Sequence, residues 1–451
     1  MAELGRVVVI GNSLAGLLTA RVLADHAAQV TIVDRDRIPD EPASRAGVPQ
    51  ARHIHVLLAG GQQALESLLP GVLDELAALG VPAIDHPGDI VQFNRGQWVP
   101  RWHGGVAMLT GTRALVEHTV RQRVLAHPRI DTLDATEAVG LLGTAQRVSG
   151  VALRDRDDQT PSELAADLVV DASGRGSRTP RWLTDLGAAP PVEERIDTGL
   201  AYATRAYRAG PPPTGDYRAI YLVPSPDTPR SAVIMPTEEP GQYLVTMTGL
   251  AGDEPPTDPE GFEHFARRLA QPLVSEWLAT AEPLGPPMGH RGTANVRRRY
   301  DTLREPAGLL VVGDAATAFN PTYAQGMSVA AMGARALGQT LSSASGQPSI
   351  RRLQGVVKDA GDVAWTISSG ADKLMPGAMS TGVRPGPADR LVDWYLGRVQ
   401  DQSSGYPVVA FAFRDVIHLT APAAALFSWR VARTVLFGRR RPPLTDPPHF
   451  A

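Results

Sequence analysis

The chain has 451 residues, of which 43% are hydrophobic and 20% charged, a composition typical of a soluble globular protein with two or three domains. The formal net charge of −3 shows no excess of positive charge for binding nucleic acid, so we expect no nucleic-acid partner. The absence of cysteine excludes disulfides, thiolate catalysis and cysteine-ligated metals, and we expect no metal site.

The first predicted elements form a βαβ unit. Val7–Ile10 is a β-branched run, typical of a strand buried on both faces. A tight turn leads into an Ala/Leu-rich helix, and a second buried strand over residues 30–33 ends at Asp34. Because the first strand begins so near Met1, we expect no signal peptide. With no apolar run of about 18 residues to span a membrane, the sequence predicts a cytoplasmic protein.

The turn between these strands has the spacing of a dinucleotide-binding motif. Gly11 permits the sharp turn and Gly16 lets the helix approach the strand closely, whereas Ser13 replaces the second glycine of the motif. The helix N-terminus presents free N–H groups to a pyrophosphate, and Asp34 is placed to bind ribose hydroxyls. The order of strand, turn, helix, second strand and terminal acid predicts a dinucleotide site rather than a plain βαβ turn.

A long loop over residues 37–60 follows and is rich in Pro, Gly and Arg. Loops of this length are usually functional or disordered, and we favour function because this one holds Arg45, Gln50, His53 and His55. The two histidines are most simply satisfied by backbone carbonyls, since a zinc site would need a nearby acidic or cysteine partner.

Helices and short strands alternate after this loop. The pattern predicts one helix over residues 62–80, short strands over 89–110 and a helix that begins at Arg113. After a small set of antiparallel strands, a buried strand ends at Asp171. A Gly/Ser-rich turn comes next, where a second contact to the cofactor is expected.

The second half of the chain changes its pattern twice. Residues 198–250 form separated strands with Pro/Gly-rich connectors, which predicts a hairpin-type sheet, and the helical segment 262–281 covers it. A further buried strand ends at Gly313-Asp314, and Gly326 begins a small-residue helix. This is a second helix N-terminus offered to a polar ligand, with a capping-Asp turn as the alternative.

Together, three strand-end motifs resemble those of the FAD-dependent monooxygenases of the aromatic-hydroxylase and squalene-epoxidase type. The motifs are Gly11-x-Ser-x-x-Gly16, Asp171-Ala-Ser-Gly-Arg175, and Gly313-Asp314 with Pro321 and Gly326-Met327. The resemblance implies an α/β fold: a Rossmann-like, three-layer FAD-binding domain, an inserted antiparallel β-sheet substrate domain and a helical C-terminal region. The implied divisions are 1–88, 111–197 and 291–345 for FAD, 89–110 and 198–290 for substrate, and 346–451 for the C-terminal region.

The resemblance also implies which residues hold the FAD. Arg45 would belong to a mobile flavin loop, Arg113 would supply a second side-chain contact, and Val139 would hold the adenine through its backbone. The full implied set is Gly11, Ser13, Leu14, Ala15, Gly16, Asp34, Arg35, Arg45, Gln50, Arg113, Val139, Asp171, Gly174, Gly313, Asp314, Pro321, Gly326 and Met327. In the family, a simple Asp-Gly at this motif contacts both FAD and the nicotinamide cofactor, and Ala172-Ser173-Gly174 departs from it. NAD(P)H is therefore expected to supply the electrons either directly or through a separate reductase.

A closer likeness is to the actinobacterial epoxidases that act on linear polyether polyketide precursors. Arg45-x-Gly-Val-Pro-Gln50-Ala-Arg-His53-x-His55 and Phe319-Asn-Pro-x-Tyr-x-x-Gly-Met327 are among the stretches that carry it. It implies that a flavin C4a-hydroperoxide epoxidises alkenes of an apolar polyketide- or terpenoid-like substrate in secondary metabolism, such as antibiotic biosynthesis. Residues 202–207, 220–223 and 233–235 are expected to line an apolar pocket over the flavin, and no catalytic side chain is identifiable.

Two other activities are compatible with the same motifs. Aromatic hydroxylation of a phenol or polyketide uses the same oxygenating species but benefits from a proton relay. An isoprenoid-type double-bond reductase shares the fold and needs no oxygen. A tryptophan-type halogenase would show W-x-W-x-I-P and a lysine beside the flavin, whereas the first lysine here is Lys358. The expected partners are a small apolar substrate and O2, with the basic, amphipathic C-terminal helices packing on the core rather than on a membrane surface.

Overall fold

The computed structural model describes residues 4–102, 104–209, 216–383, 389–439 and 442–448. Within these residues, the strands of the N-terminal half are β1 (Leu4–Ile10), β2 (Ala27–Val33), β3 (Ala83–His86), β4 (Ile90–Asn94), β5 (Gln97–Trp98), β6 (Val106–Leu109), β7 (Ile130–Leu133), β8 (Thr136–Gly143), β9 (Val148–Asp155), β10 (Pro161–Ala165), β11 (Leu168–Asp171) and β12 (Glu193–Asp197). Those that follow are β13 (Ala201–Arg208), β14 (Ala219–Leu222), β15 (Ser231–Pro236), β16 (Gln242–Gly249), β17 (Glu282–Pro283), β18 (Met288–His290), β19 (Asn295–Arg298), β20 (Leu309–Val311), β21 (Thr317–Ala318) and β22 (Met379–Thr381).

The α-helices of the described residues lie mainly at the two ends of the chain. They are α1 (Leu14–Ala24), α2 (Ala59–Leu68), α3 (Val72–Ala78), α4 (Arg113–Leu125), α5 (Thr179–Asp185), α6 (Pro259–Ala266), α7 (Leu273–Leu278), α8 (Gly326–Ser343), α9 (Ile350–Lys373), α10 (Asp389–Ser403), α11 (Pro407–Ile417) and α12 (Trp429–Phe437). None of these helices, in the described part of the chain, is both long and apolar enough to cross a membrane.

A five-stranded parallel sheet, in the order β20-β11-β1-β2-β7, forms the centre of the first unit. Side chains of β1 alternate between its faces: Val7 and Val9 pack against α1, α4 and α8, while Val8 and Ile10 pack against β8 and β9. Both faces are therefore covered, one by helices and one by the antiparallel sheet β10-β9-β8. This arrangement confirms the predicted three-layer Rossmann-like fold and explains the β-branched run in β1.

The second unit is an eight-stranded sheet in the order β17-β13-β16-β15-β14-β4-β5, with β18 paired to β13. Strands β13, β16, β15 and β14 run antiparallel to one another in turn, as predicted, but β4 lies parallel to β14. Helices α6 and α7 cover one face, where Phe262 and Trp277 pack against Val245 and Tyr207. The other face turns towards the first unit.

Three predicted elements differ from the structure in detail. The single helix expected over 62–80 is two helices, α2 and α3, because Pro70 cannot continue a helix and Gly71 adopts a positive φ of 84°. The segment 262–281 is likewise divided into α6 and α7, with Pro272 at the start of the second. The C-terminal region is helical as predicted, except that β22 pairs with β12.

Candidate cofactor and substrate site

A cavity of about 1280 Å³ lies between the carboxyl ends of the parallel strands and the open face of the eight-stranded sheet. Its volume exceeds the roughly 300–1,000 Å³ of a single small-molecule pocket, so it has room for a large cofactor and a substrate together. Most of the predicted cofactor positions line it. They are Gly11, Ser13, Leu14, Ala15, Asp34, Arg35, Arg45, Gln50, Arg113, Gly174, Gly313, Asp314, Pro321, Gly326 and Met327.

Three predicted positions lie outside the cavity wall. Gly16 faces the Gly11 carbonyl oxygen so closely that any Cβ would overlap it, which confirms its packing role. Val139 lies at an irregularity in the pairing of β8 with β9, beside Ala138. Asp171 is fully buried, and its carboxylate accepts hydrogen bonds from its own turn and from α5, so it shapes the turn rather than the cavity surface.

The first turn presents main-chain groups to the cavity. Gly11 has a φ of 111°, and Ser13 precedes α1 without capping it through its side chain. The N–H groups in the first turn of α1 are therefore available to an anion. The Ser13 hydroxyl instead donates to Glu117 Oε2 at 2.6 Å and accepts from Arg113 Nη2 at 2.7 Å. The residue that replaces the second glycine thus ties α1 to α4.

Asp34 and Arg45 form a buried pair at the end of β2. Asp34 accepts hydrogen bonds from the main-chain N–H groups of Asn12, at 2.6 Å, and Asp36, at 2.8 Å. The Arg45 guanidinium lies 3.2 Å from Asp34 and also donates to the Asn12 carbonyl oxygen at 2.8 Å. Arg45 is only 8% exposed, so this side chain is held in place within the loop that the sequence resemblance describes as mobile.

Glu117 is a central residue of this site that the sequence interpretation missed. Its carboxylate contacts the guanidinium groups of Arg45, Arg113 and Arg121. Burial opposes its ionisation, but Arg113 and Arg45 outweigh burial and lower the pKa of Glu117 to about 2. The spacing of Arg113, Glu117 and Arg121 places all three on one helix face, a signal that is also common on solvated helices.

The second and third motifs meet through Arg175. Its guanidinium donates to the main-chain oxygen of Phe319 at 2.7 Å and to that of Ala294. Asp314 also lines the cavity and lies beside the start of α8, where Gln325 provides no side-chain cap. A Cβ placed on Gly326 would lie 3.6 Å from Asp314 Oδ1. The sequence therefore brings a carboxylate and an uncapped helix N-terminus to one point.

Histidines contribute neutral polar groups to the cavity wall. His55 Nδ1 lies 3.0 Å from the His53 carbonyl oxygen, as expected, whereas His53 Nδ1 contacts the Thr204 hydroxyl at 2.8 Å. Burial lowers the pKa of His53 to about 4 and that of His55 to about 3. Among the described residues, no group of His, Asp and Glu has the arrangement of a metal site.

The part of the cavity wall that the second sheet forms is mostly apolar, but only alternate residues of each strand reach it. Tyr202, Tyr221, Val223, Val233 and Met235 line the cavity. Their neighbours along the strands face the core beneath α6 and α7, as the two-residue period of a strand requires.

Two further contacts in the cavity wall involve residues of the C-terminal half. Tyr323 lines the cavity and donates a hydrogen bond to Asp372 Oδ1 at 2.7 Å. His86 and His418 also line it, with His86 Nδ1 2.9 Å from His418 Nε2. None of these contacts is predictable from local sequence, because each joins residues from distant parts of the chain.

Comparison with known proteins assigns the family. The family model described as FAD binding domain matches residues 5–371. The chain belongs to this family. Protein Rv3254 of Mycobacterium tuberculosis is 37% identical over 351 residues, covering 74% of this chain and 72% of that protein. A kynurenine 3-monooxygenase of Salinispora tropica is 27% identical over 345 residues, covering 72% of this chain and 70% of that enzyme.

Several solved structures share the fold of this chain. The flavin-dependent brominase Bmp2 superposes with a TM-score of 0.64 at 13% identity, covering 95% of this chain and 96% of that one. The p-nitrophenol 4-monooxygenase PnpA of Pseudomonas putida gives 0.63 at 15% identity, covering 93% and 98%. At these identities the likeness concerns the fold. The family match and the similarity to kynurenine 3-monooxygenase confirm the expected class, an FAD-dependent monooxygenase.

The residues of the cavity fit an FAD. The uncapped start of α1 suits a pyrophosphate, and the acceptor Asp34 stands at the end of β2, where a ribose is expected. Gly174 lines the cavity with a φ of 83°, and a Cβ there would meet no atom within 4 Å. The wall therefore leaves open space where a side chain would otherwise intrude.

Proposed function

We propose that the enzyme epoxidises one or more alkenes of an apolar polyketide- or terpenoid-like substrate in secondary metabolism. The observation that supports this most is the large cavity, whose substrate wall is built from apolar and aromatic side chains of the second sheet. FAD, when bound, supplies oxygen activation and transfer of one oxygen atom. The chain's own task is to place an electron-rich double bond beside it and to exclude water.

We further propose the cofactor contacts and the domain division that the sequence implies. Asp34 would accept from ribose hydroxyls, the start of α1 would bind the pyrophosphate, and Asp314 with the start of α8 would hold the polyol and ring end. Residues 1–88, 111–197 and 291–345 would bind FAD, residues 89–110 and 198–290 would bind substrate, and residues 346–451 would close the cavity. Support comes from α9, α10 and α11, which contribute Ile367, Leu396 and Phe413, among others, to the cavity wall.

We propose NAD(P)H as the source of electrons, directly or through a reductase. Asp171 bonds within its own turn, whereas Arg175 of the same motif lines the cavity. Direct reduction therefore has one candidate anion-binding side chain in this motif. Mixing the holoprotein anaerobically with NADPH or NADH distinguishes the routes, because bleaching of the flavin absorbance without any second protein requires direct reduction.

Aromatic hydroxylation is the second candidate. It is favoured by the contact between Tyr323 and Asp372, because a phenol substrate benefits from a group that takes up its proton. The similarity to kynurenine 3-monooxygenases supports the same candidate.

Stopped-flow absorbance of the chemically reduced holoprotein, mixed with oxygenated buffer, tests the proposal. We expect a transient species before the oxidised flavin spectrum returns, and polyenes should accelerate its decay more than phenols do. Faster decay with phenols would favour hydroxylation. Reoxidation with no transient in the presence of both substrate classes would contradict oxygen transfer and favour a double-bond reductase.

A further inference from the structure

Gln92 is a polar side chain in the apolar part of the cavity wall. It lies on β4, whose alternate residues Ile90, Gln92 and Asn94 line the cavity. Its side-chain oxygen Oε1 lies 3.1 Å from His86 Nε2. In the described part of the chain this is the one hydrogen bond of the Gln92 side chain. Its NH2 group therefore remains available to a ligand.

Two buried histidines fix the orientation of this amide. His86 and His418 are 6% and 1% exposed, and His86 Nδ1 lies 2.9 Å from His418 Nε2. Since Gln92 Oε1 can only accept a hydrogen bond, His86 carries its proton on Nε2, and its Nδ1 accepts from His418 Nε2. His418 Nδ1 is then an unprotonated nitrogen, buried and without a hydrogen-bond partner among the described residues.

The charge of Arg414 supports this direction of the hydrogen bonds. Arg414 lies one turn before His418 on α11 and is 4% exposed. Burial and Arg414 lower the pKa of His418 to about 3 and the pKa of His86 well below its usual value, so both rings are neutral. Because His418 Nε2 is engaged with His86, an unprotonated Nδ1 is the form that a neighbouring cation stabilises.

A second hydrogen-bond donor stands beside Gln92 on the neighbouring strand. Tyr221 of β14 is the direct partner of Gln92 in the parallel pairing, and both side chains line the cavity. Adjacent strands lie about 4.8 Å apart, so one ligand atom can reach both side chains. Burial raises the pKa of Tyr221 to about 12, so its hydroxyl keeps its proton. That hydroxyl has no hydrogen-bond partner among the described residues.

We propose that Gln92 and Tyr221 bind one uncharged oxygen atom of the substrate, such as the carbonyl oxygen of a ketone or ester. Both groups donate, which matches the two lone pairs of a carbonyl oxygen. His86 and His418 are positioning residues, because they hold the Gln92 amide with its NH2 group towards the cavity. The inference deepens the proposed function and rests on it, since it names the polar group that an otherwise apolar substrate carries.

The surroundings favour an uncharged oxygen over a carboxylate. The wall around Gln92 includes apolar side chains such as Ile90 and Met235, and burial of an anion without a paired cation is costly. Arg95, which follows β4 on the cavity wall, is already paired with Asp401 at 3.1 Å. A carbonyl oxygen needs no such cation.

The test measures binding to the oxidised, FAD-loaded enzyme without reductant, so that no oxygen chemistry takes place. The probes are 1-acetylnaphthalene, 1-isopropenylnaphthalene, in which C=CH2 replaces C=O at nearly the same shape, and the anion 1-naphthoate. Equilibrium dialysis gives the dissociation constant of each probe. We expect 1-acetylnaphthalene to bind about tenfold more tightly than 1-isopropenylnaphthalene, and 1-naphthoate to bind more weakly than 1-acetylnaphthalene.

Four variants assign the preference to these side chains. Gln92→Leu removes the amide at similar volume, whereas Gln92→Glu keeps an acceptor for His86 and loses the donor. Tyr221→Phe removes the second donor. His86→Phe frees the Gln92 amide to rotate. Asn94→Leu is the matched control, because Asn94 lines the cavity from the same strand but no described residue bonds to its amide.

The inference predicts one pattern of results. Both Gln92 variants abolish the preference for 1-acetylnaphthalene, Tyr221→Phe and His86→Phe reduce it, and Asn94→Leu retains it. Affinity for 1-isopropenylnaphthalene stays within about twofold in Gln92→Leu. If Gln92→Leu does not retain FAD, Gln92→Glu and Tyr221→Phe decide.

Other patterns overturn the inference. They are failure of 1-acetylnaphthalene to bind, no preference for it in the wild type, tightest binding of 1-naphthoate, and equal weakening of both neutral probes by Gln92→Leu, as a merely structural role predicts. Full preference in His86→Phe would reject its positioning role. Oxygen transfer to polyenes in the stopped-flow experiment would still stand in each case. Conversely, a preference that persists without oxygen transfer would reject the proposed reaction, so the two failures are distinguishable.

Discussion

Arg175 donates a hydrogen bond to the main-chain oxygen of Phe319 at 2.7 Å and so joins the turn after β11 to the loop before α8. Its other terminal nitrogen donates to the Ala294 carbonyl oxygen. Two strand-end motifs that are far apart in sequence are thereby held on one side of a single cavity. The first motif follows β1, which lies beside β11 in the same sheet, so all three motifs meet at the region proposed to bind FAD.

Replacing Asp314 by alanine should cause loss of FAD. The side chain stands at the cavity wall beside the start of α8, where it is proposed to accept from the cofactor's polyol. The ratio of flavin to protein absorbance after purification measures occupancy. Asp157→Ala, at an exposed ion pair with Arg37, is the control. A yellow Asp314→Ala protein with full occupancy would show that this contact is misassigned.

The Gly11→Val variant should fold with a disrupted first turn and lose FAD. The structure gives a different reason from a clash with pyrophosphate: a Cβ here would lie 2.6 Å from the Ala172 carbonyl oxygen, at a φ of 111°. Gly187→Ala is a matched control, because Gly187 has a φ of 78° with no atom near its Cβ position. That control should lose about 1 kcal/mol of stability and keep FAD. Full FAD retention by Gly11→Val would reject the first site.

Local sequence was sufficient to predict the α/β fold and most of the cavity wall. The β-branched run of β1, the turn at Gly11 and the acid at Asp34 are all short-range signals, and they meet because parallel strands share a carboxyl edge. Side-chain alternation in the second sheet was harder to read, since it depends on which face α6 and α7 cover. Pro70 is itself a local signal for the break between α2 and α3.

Glu117→Gln should destabilise the protein strongly. Glu117 is 6% exposed and pairs with Arg45 and Arg121. Breaking a buried pair leaves charge uncompensated at a cost of about 3–5 kcal/mol. Chemical denaturation of the apoprotein measures the apparent free energy of unfolding. Asp157→Asn, at an exposed pair, should have little effect. Equal stability of the two variants would contradict a structural role for the Glu117 cluster.

Stability should fall in mild acid because of buried neutral histidines. Burial lowers the pKa of His418 to about 3 in the folded protein, from about 6.5 in the unfolded chain. The unfolded chain therefore binds more protons between these values, so this stability is complete above about pH 6.5 and is lost as the pH falls towards 3. One such histidine contributes a slope of up to about 1.4 kcal/mol per pH unit.

Comparing unfolding free energies at several pH values from 7 to 5 checks this. His418→Asn should flatten the decline, whereas His264→Asn, at an exposed position of α6, should leave it unchanged. An identical pH slope in the wild type and in His418→Asn would contradict the neutral, buried state of His418.

The residues that sequence reasoning missed share one property. Asp372 joins residues 295, 320 and 323, and Glu117 joins residues 13 and 45. Each lies on a helix and bonds to residues from distant segments of the chain. The i,i+4 spacing of Glu117 with Arg113 and Arg121 is also common on solvated helices, so it does not show how the helix packs against the loops of the cavity.

The most direct test of the central claim is a single turnover of the chemically reduced holoprotein with a polyene and 18O2, followed by mass spectrometry of the polyene. If the enzyme epoxidises alkenes, the product contains one labelled oxygen atom, at an alkene, for each flavin oxidised. Recovery of unlabelled polyene, either unchanged or hydrogenated, while the flavin returns to its oxidised form would contradict it.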